Sequence, residues 1–201
     1  MNILLLGEGP NDLGRWAAHP AYREKDSRVG VIEALLRRCG SDWVIRDARI
    51  WKALKSTQYR AGNHAGLEQR GVLRALQDLR ESEADIDAVV FVRDRDGDEG
   101  READLRAAKQ AARTLFSDFR LCGGVAIECI EAWVLACKGE RRTEGKTVKA
   151  AQARLGELFG YEPTTNDMSD AIGTCSATGI PDDAYSLNAF CAELTALLAS
   201  A

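Results

Sequence analysis

Val89-Val90-Phe91-Val92-Arg93-Asp94-Arg95-Asp96-Gly97-Asp98 sets an apolar, β-branched run directly before three carboxylates at alternate positions. The run extends back to Ile86 and is almost continuously apolar, the pattern of a strand covered on both faces. A strand end fixes direction, and the turn beyond it aims side chains into the crevice where an open α/β sheet binds its ligand. Three acids this close repel one another unless a cation or a shell of water neutralises them. Oxygen donors with no accompanying thiolate or imidazole suit Mg²⁺ or Mn²⁺ better than zinc. The plainer reading is a solvated acidic turn that opens the next helix.

Outward from this strand, apolar runs alternate with helical patterns. Residues 2–7 read as a first core strand, followed by the turn-rich Gly7-Glu8-Gly9-Pro10-Asn11-Asp12. Residues 28–39 carry Val29, Ile32, Leu35 and Leu36 at helical spacing, with Ser27 as cap and Gly40 as stop. Trp43 to Ile50 reads as an edge strand, and Lys52 to Gly66 as a long polar loop. Helices follow over 67–82 and 99–116, a strand over 119–127, and a short helix over Cys129 to Lys138. This order predicts an α/β fold with an open, mainly parallel sheet flanked by helices. Beyond it lie two amphipathic helices, Lys146 to Phe159 and Ser186 to Ala199, with turns at Glu162-Pro163 and Gly179-Ile180-Pro181. Residues 1–138 therefore read as the core, and 139–201 as a helical C-terminal extension packed on the same domain.

The chain has 201 residues, enough for one well-buried domain. No apolar run reaches the roughly 18–20 residues that a membrane span needs. The start of the chain lacks the basic flank and cleavage site of a signal peptide. The six cysteines show no metal-ligand pairing, so reduced thiols and a cytoplasmic location are expected. A net charge of −4 argues against strong non-specific nucleic-acid binding by the isolated chain. A substrate held through metal ions and a local basic patch stays compatible with it. His19 and His64 sit in turn-like segments without a partner motif, and Trp133 reads as core.

Three strand ends carry acids: Glu8 with Asp12, then Asp94, Asp96 and Asp98, then Glu128 with Glu131. In a parallel sheet these ends share one edge, so acids far apart in sequence can converge. Two divalent ions about 3.5–4 Å apart, held by such a cluster, suit phosphodiester cleavage.

A glutamate in Gly7-Glu8-Gly9 after the first strand, with Asp94-Arg95-Asp96 after a later one, resembles the Toprim domain shared by topoisomerases, bacterial primases and OLD-family nucleases. Ile130-Glu131-Ala132-Trp133-Val134-Leu135 resembles the glutamate-bearing helix of small stand-alone Toprim-like proteins, often encoded beside ATPases and suspected of phage defence. The resemblance implies a metal-dependent nuclease that cuts nucleic acid, with DNA the expected substrate, two Mg²⁺ or Mn²⁺ ions and an ATPase partner subunit. A homodimer is compatible with it, and a membrane is not expected. Glu8 takes the place of general base or metal-side carboxylate, Asp94 and Asp96 of principal metal ligands, and Glu131 of a ligand to the second ion. Asp12 matches the acidic position of the family's Glu-Gly turn. Asp98 is the weaker match, and Glu128 replaces Glu131 if the helix register shifts. Arg95, Arg101 and Lys146 are candidate phosphate contacts, while Arg93 and Arg95 also read as simple ion-pair partners of the acids.

Rival readings exist. A haloacid-dehalogenase phosphatase would use Asp94 as nucleophile and Asp96 as acid/base, but its motif normally lies on the first strand, and Glu8 would have no part. A dinucleotide site fails because Asp12 stands where the third glycine belongs. An EF-hand fails because Glu99 holds the glycine position and Leu105 that of the bidentate glutamate. A non-catalytic metal-binding subunit of a larger complex remains the non-enzymatic alternative.

Overall fold

Asn2–Gly7 (β1) lies inside the sheet, paired in parallel with Val44–Ile50 (β4) on one side and Ala88–Asp94 (β5) on the other. Arg120–Ala126 (β6) adds to β5, also in parallel, giving the order β4-β1-β5-β6. The structure, a computed structural model, describes residues 1–18, 21–23, 29–54, 66–176 and 179–199. The sheet is the open parallel α/β sheet expected from the alternation of apolar runs, and its arrangement is consistent with a Toprim-like fold. The chain leaves β1 toward β4, then crosses back to β5 on the other flank. That reversal puts a topological switch point between the C-terminal ends of β1 and β5.

Side chains alternate across a strand, so one sheet builds two cores. Ile3 and Leu5 face Val31–Cys39 (α2), Ile130–Cys137 (α5), Val148–Phe159 (α6), Thr165–Thr174 (α7) and Tyr185–Ala199 (α8). Leu4 and Leu6 face Leu67–Glu81 (α3) and Arg101–Leu115 (α4). All four β1 side chains are fully buried. In β5, Ala88, Val90 and Val92 join the first core, and Val89 and Phe91 the second.

The C-terminal helices share the first core through Leu155, Ile172, Leu187, Phe190 and Leu194. Glu144 fastens the start of α8, accepting the backbone N–H of Ser186 at 2.7 Å and its hydroxyl at 2.6 Å. The Trp133 indole N–H donates to the same Ser186 oxygen at 2.8 Å, and its ring packs 5.1 Å from that of Phe190. Trp133 is fully buried, as its helical position predicts.

Some elements differ from expectation. Helix α7 lies between the turns expected at Glu162-Pro163 and Gly179-Ile180-Pro181, where no element was expected, and a short hairpin, Trp16–Ala18 (β2) with Ala21–Arg23 (β3), follows the four-residue helix Pro10–Leu13 (α1). The expected loop begins instead with a 3₁₀ turn, Trp51–Leu54. Helix α2 starts at Val31 rather than 28. Ser27, His19, His64 and the remainder of that loop lie outside the described residues. Among the described residues no helix is long and apolar enough to cross a membrane.

Packing on the second face depends on Gly123. A Cβ there would fall 2.1 Å from the Phe91 ring, which fills the space directly over β6. Gly123→Ala is expected to lower unfolding free energy by about 1–3 kcal/mol through overpacking. The penalty should shrink in a Phe91→Leu background, a non-additivity that urea titration of the four proteins would measure.

Candidate active site

The turn after β1 is built for close approach. A Cβ on Gly7 would meet the Asp12 Cβ at 2.7 Å, and one on Gly30 would meet the Asp12 carbonyl oxygen at 2.2 Å. Pro10 opens α1, and the Glu8 N–H donates to Asp12 Oδ2 at 2.5 Å. Asp12 is thereby tucked beneath the turn and buried. Across the switch point Asp94 is the last residue of β5, and its N–H donates to Glu8 Oε1 at 3.1 Å. Glu131 lies in the first turn of α5, buried, and accepts from Gln152 Nε2 of α6 at 3.2 Å.

These acids feel one another. Burial pushes the Asp12 carboxyl up to about 7, and the charges on Glu8 and Glu131 add to the rise. Asp94 is pushed up to about 8, by burial first and then by repulsion from Asp12, Glu8, Glu131 and Asp96. Unlike Asp12, the Asp94 carboxylate accepts no hydrogen bond from the described residues, since its two contacts to Glu8 and Arg101 run through its backbone. Glu8, Asp12, Asp94 and Glu131 therefore surround one strongly negative region at the strand ends.

A basic wall stands opposite. Arg93 Nη1 donates to Glu8 Oε1 at 2.5 Å, and its Nε and Nη2 both donate to Glu68 of α3 at 2.9 Å. Arg101 of α4 donates to the Asp94 carbonyl and stands 3.2 Å from Glu68, 3.7 Å from Asp96 and 3.9 Å from Asp98. The Trp51 indole N–H donates to the Val92 carbonyl at 3.0 Å, and the Arg93 guanidinium sits over its ring at 5.3 Å. Glu8, Trp51, Arg70, Arg93 and Arg101 line a cleft of about 860 Å³ that continues past Lys52 and Asp96.

The other acids of the motifs are placed differently. Asp96 and Asp98 are exposed on the turn, and Asp98 Oδ1 accepts the Gly100 N–H at 3.0 Å at the entry to α4. Glu128 is engaged by Arg95, whose Nε donates to it at 2.9 Å, while its carbonyl accepts the Asp96 N–H at 3.2 Å. With φ at +64°, Glu128 latches the β5–α4 and β6–α5 turns together, and Arg95 is committed to that latch. Lys146 lies beside Glu140 in the loop before α6 and is not among the residues lining the cleft. Lys52, Glu68, Arg70 and Gln152 enter the site without any local motif to announce them.

Among the described residues no group of three His, Cys, Asp or Glu side chains is closed into a ligand set. The acids share a potential rather than a common centre, so ligation calls for side-chain torsions to bring them together. The donor chemistry nevertheless fits a hard divalent ion, because the half-buried Asp94 carboxylate accepts no hydrogen bond from the described residues and is a hard oxygen donor. Glu8, Asp12, Asp94 and Glu131 are the residues that would hold it. Comparison with protein-family models, with curated proteins and with solved structures returned no match.

The sign of the pH dependence follows from the two raised carboxyls. Between about pH 4, where carboxyls of the unfolded chain titrate, and about pH 8, the folded chain holds more protons at Asp12 and Asp94. Their contribution to stability is thus greatest in acid and is lost as pH rises through the folded values. Thermal unfolding of metal-free protein from pH 5 to 8 should show a falling midpoint, and Asp94→Asn should flatten that fall.

Proposed function

We propose that this chain is a divalent-metal-dependent nuclease of the Toprim type that hydrolyses phosphodiester bonds of nucleic acid. One observation carries the reading. Asp94 ends a buried strand at the topological switch point with a carboxylate that nothing described satisfies, facing Asp12, Glu8 and Glu131. Evolution of such a site for stability alone is a poor account, since each added acid raises the energy of the others. Mg²⁺ or Mn²⁺, bound there, supplies positive charge that activates water and offsets charge on the leaving oxygen.

The chain's own residues divide the remaining work. Arg93 holds Glu8 through Oε1, and Oε2, which accepts from none of the described residues, is the atom suited to take a proton from the attacking water. Lys52, Arg70 and Arg101 along the cleft attract the phosphates on either side of the scissile one. Those phosphate contacts position a strand without reading its sequence. DNA as substrate, an ATPase partner and a role in phage defence follow from the family resemblance. A net charge of −4 agrees with a catalytic subunit to which a partner delivers nucleic acid.

Nicking of supercoiled plasmid with Mg²⁺ or Mn²⁺ tests the reading. Wild type should nick, a chelator should abolish nicking, and Asp94→Asn and Glu131→Gln should each lose more than about 100-fold, beyond what outer-sphere substitutions cost. Metal binding without nicking would favour the non-catalytic subunit. Hydrolysis of a small phosphate monoester with no action on plasmid would favour the phosphatase. Nicking that survives Asp94→Asn would remove Asp94 from the chemistry.

A further inference from the structure

The cleft that begins at Glu8 has an apolar side as well as a charged one. Trp51 and Leu54 of the 3₁₀ turn line it from the buried side, and Leu67, the first residue of α3, stands at its rim. Leu67 is 77% exposed, the most of any large hydrophobic side chain among the described residues. The wall that carries it is fixed in place. Gly71, one turn along α3, packs so closely on Trp51 that a Cβ there would fall 2.8 Å from the indole ring. Arg70 follows Leu67 by three residues, so an exposed cation and an exposed apolar group share one face of the helix.

Charge alone does not suit this cleft to a duplex. Among the described residues that line it, Lys52, Arg70, Arg93 and Arg101 meet carboxylates on Glu8, Glu68, Asp96, Asp98 and Asp104. Arg93 and Arg101 are committed to Glu68, at 2.9 and 3.2 Å, which leaves Lys52 and Arg70 as the exposed cations. A duplex carries one phosphate charge per about 1.7 Å of axis, twice the density of one of its strands, and keeps its base faces inside the stack. A lining with more acids than bases offers little to that density. An unpaired strand brings half of it and frees its bases to lie against apolar side chains. Size agrees, since about 860 Å³ falls in the roughly 300–1,000 Å³ range of clefts that enclose one small organic molecule, the scale of a nucleotide or two and not of a double helix.

We propose, resting on the nuclease reading above, that the cleft takes an unpaired nucleic-acid strand, with a base against Leu67 and phosphates on Lys52 and Arg70, and leads it to Glu8. The substrate class is then single-stranded or locally unpaired nucleic acid, such as a loop, a flap or a melted stretch. Supercoiled plasmid belongs to that class, because negative supercoiling favours local melting.

Fluorescence anisotropy tests this with the full chain carrying Asp94→Asn in Mg²⁺, so that cleavage does not consume the probe. Labelled oligothymidylate should bind at least about tenfold more tightly than the same strand annealed to oligodeoxyadenylate, the discrimination that one stacked base supplies. Leu67→Ser should weaken single-strand binding by about three- to tenfold and leave duplex binding unchanged. Leu67→Phe should restore or exceed the parent affinity, since every base presents a face to an aromatic ring. Because Leu67 is exposed, thermal melts of both variants should match the parent. Equal affinity for the two probes, binding of neither, or single-strand affinity unchanged by Leu67→Ser would each overturn the inference. Equal affinity alongside plasmid nicking by wild type would leave the nuclease reading standing. Single-strand preference without nicking would keep the strand cleft and remove the nuclease.

Discussion

Crowding of carboxyls at the switch point, each desolvated and then repelled by its neighbours, is the constraint that the surrounding structure answers. Asp12 and Asp94 sit where two strands of a parallel sheet diverge, the place such a sheet leaves open. Two arginines offset their charge, and neither is left to find its own position. Glu68 takes two hydrogen bonds from Arg93 and lies 3.2 Å from Arg101, while its N–H donates to Asp104 of α4 at 2.9 Å. The planar guanidinium of Arg93 serves Glu68 and Glu8 at once, which an ammonium on a flexible stem would do less rigidly. A chain of alternating charge therefore runs from α4 through α3 to the end of β1.

The two faces of the sheet contribute opposite chemistry. Helices α1 and α5, on the side of the first core, bring Asp12 and Glu131 to the strand ends. The Trp51 turn, α3 and α4, on the other side, bring the arginines and the wall of the cleft. Alternation within β1 and β5 is what keeps these sets apart, because each strand feeds one core with odd positions and the other with even ones. The acids thus face a basic wall across a gap, rather than neutralising it by direct pairing throughout. Glu8 is the exception, and it lies at the seam.

Much of the fold was legible because parallel strands covered on both faces leave long apolar runs. Ile3 to Leu6 and Ala88 to Val92 are such runs, and the acids that follow them are local in sequence. The open parallel sheet followed from their alternation with helices. Helix α7 was less legible, since Thr165–Thr174 is polar and carries Gly173. Its start was nevertheless written in Thr164 and Asp167, which form a reciprocal capping box. The hairpin strands β2 and β3 are three residues each, too short for a period to show. Glu68 had no signal at all, because its partners Arg93 and Arg101 are distant in sequence and only the packing of α3 against α4 unites them.

The divided use of oxygen atoms links the geometry to chemistry. Glu8 receives both Arg93 and the Asp94 N–H on Oε1, Asp12 receives the Glu8 N–H on Oδ2, and Glu131 receives Gln152 on Oε1. Glu8 is thus oriented by one oxygen while its Oε2 accepts nothing from the described residues. Holding one oxygen fixed and leaving its twin uncommitted stabilises the fold less, yet it preorganises donors for something that arrives from outside. Arg93 and Glu68 then act as a scaffold for Glu8 rather than as its counter-ion alone. The repulsion that remains at Asp94 is the part of the site's energy that the protein's own groups leave for a bound cation to remove.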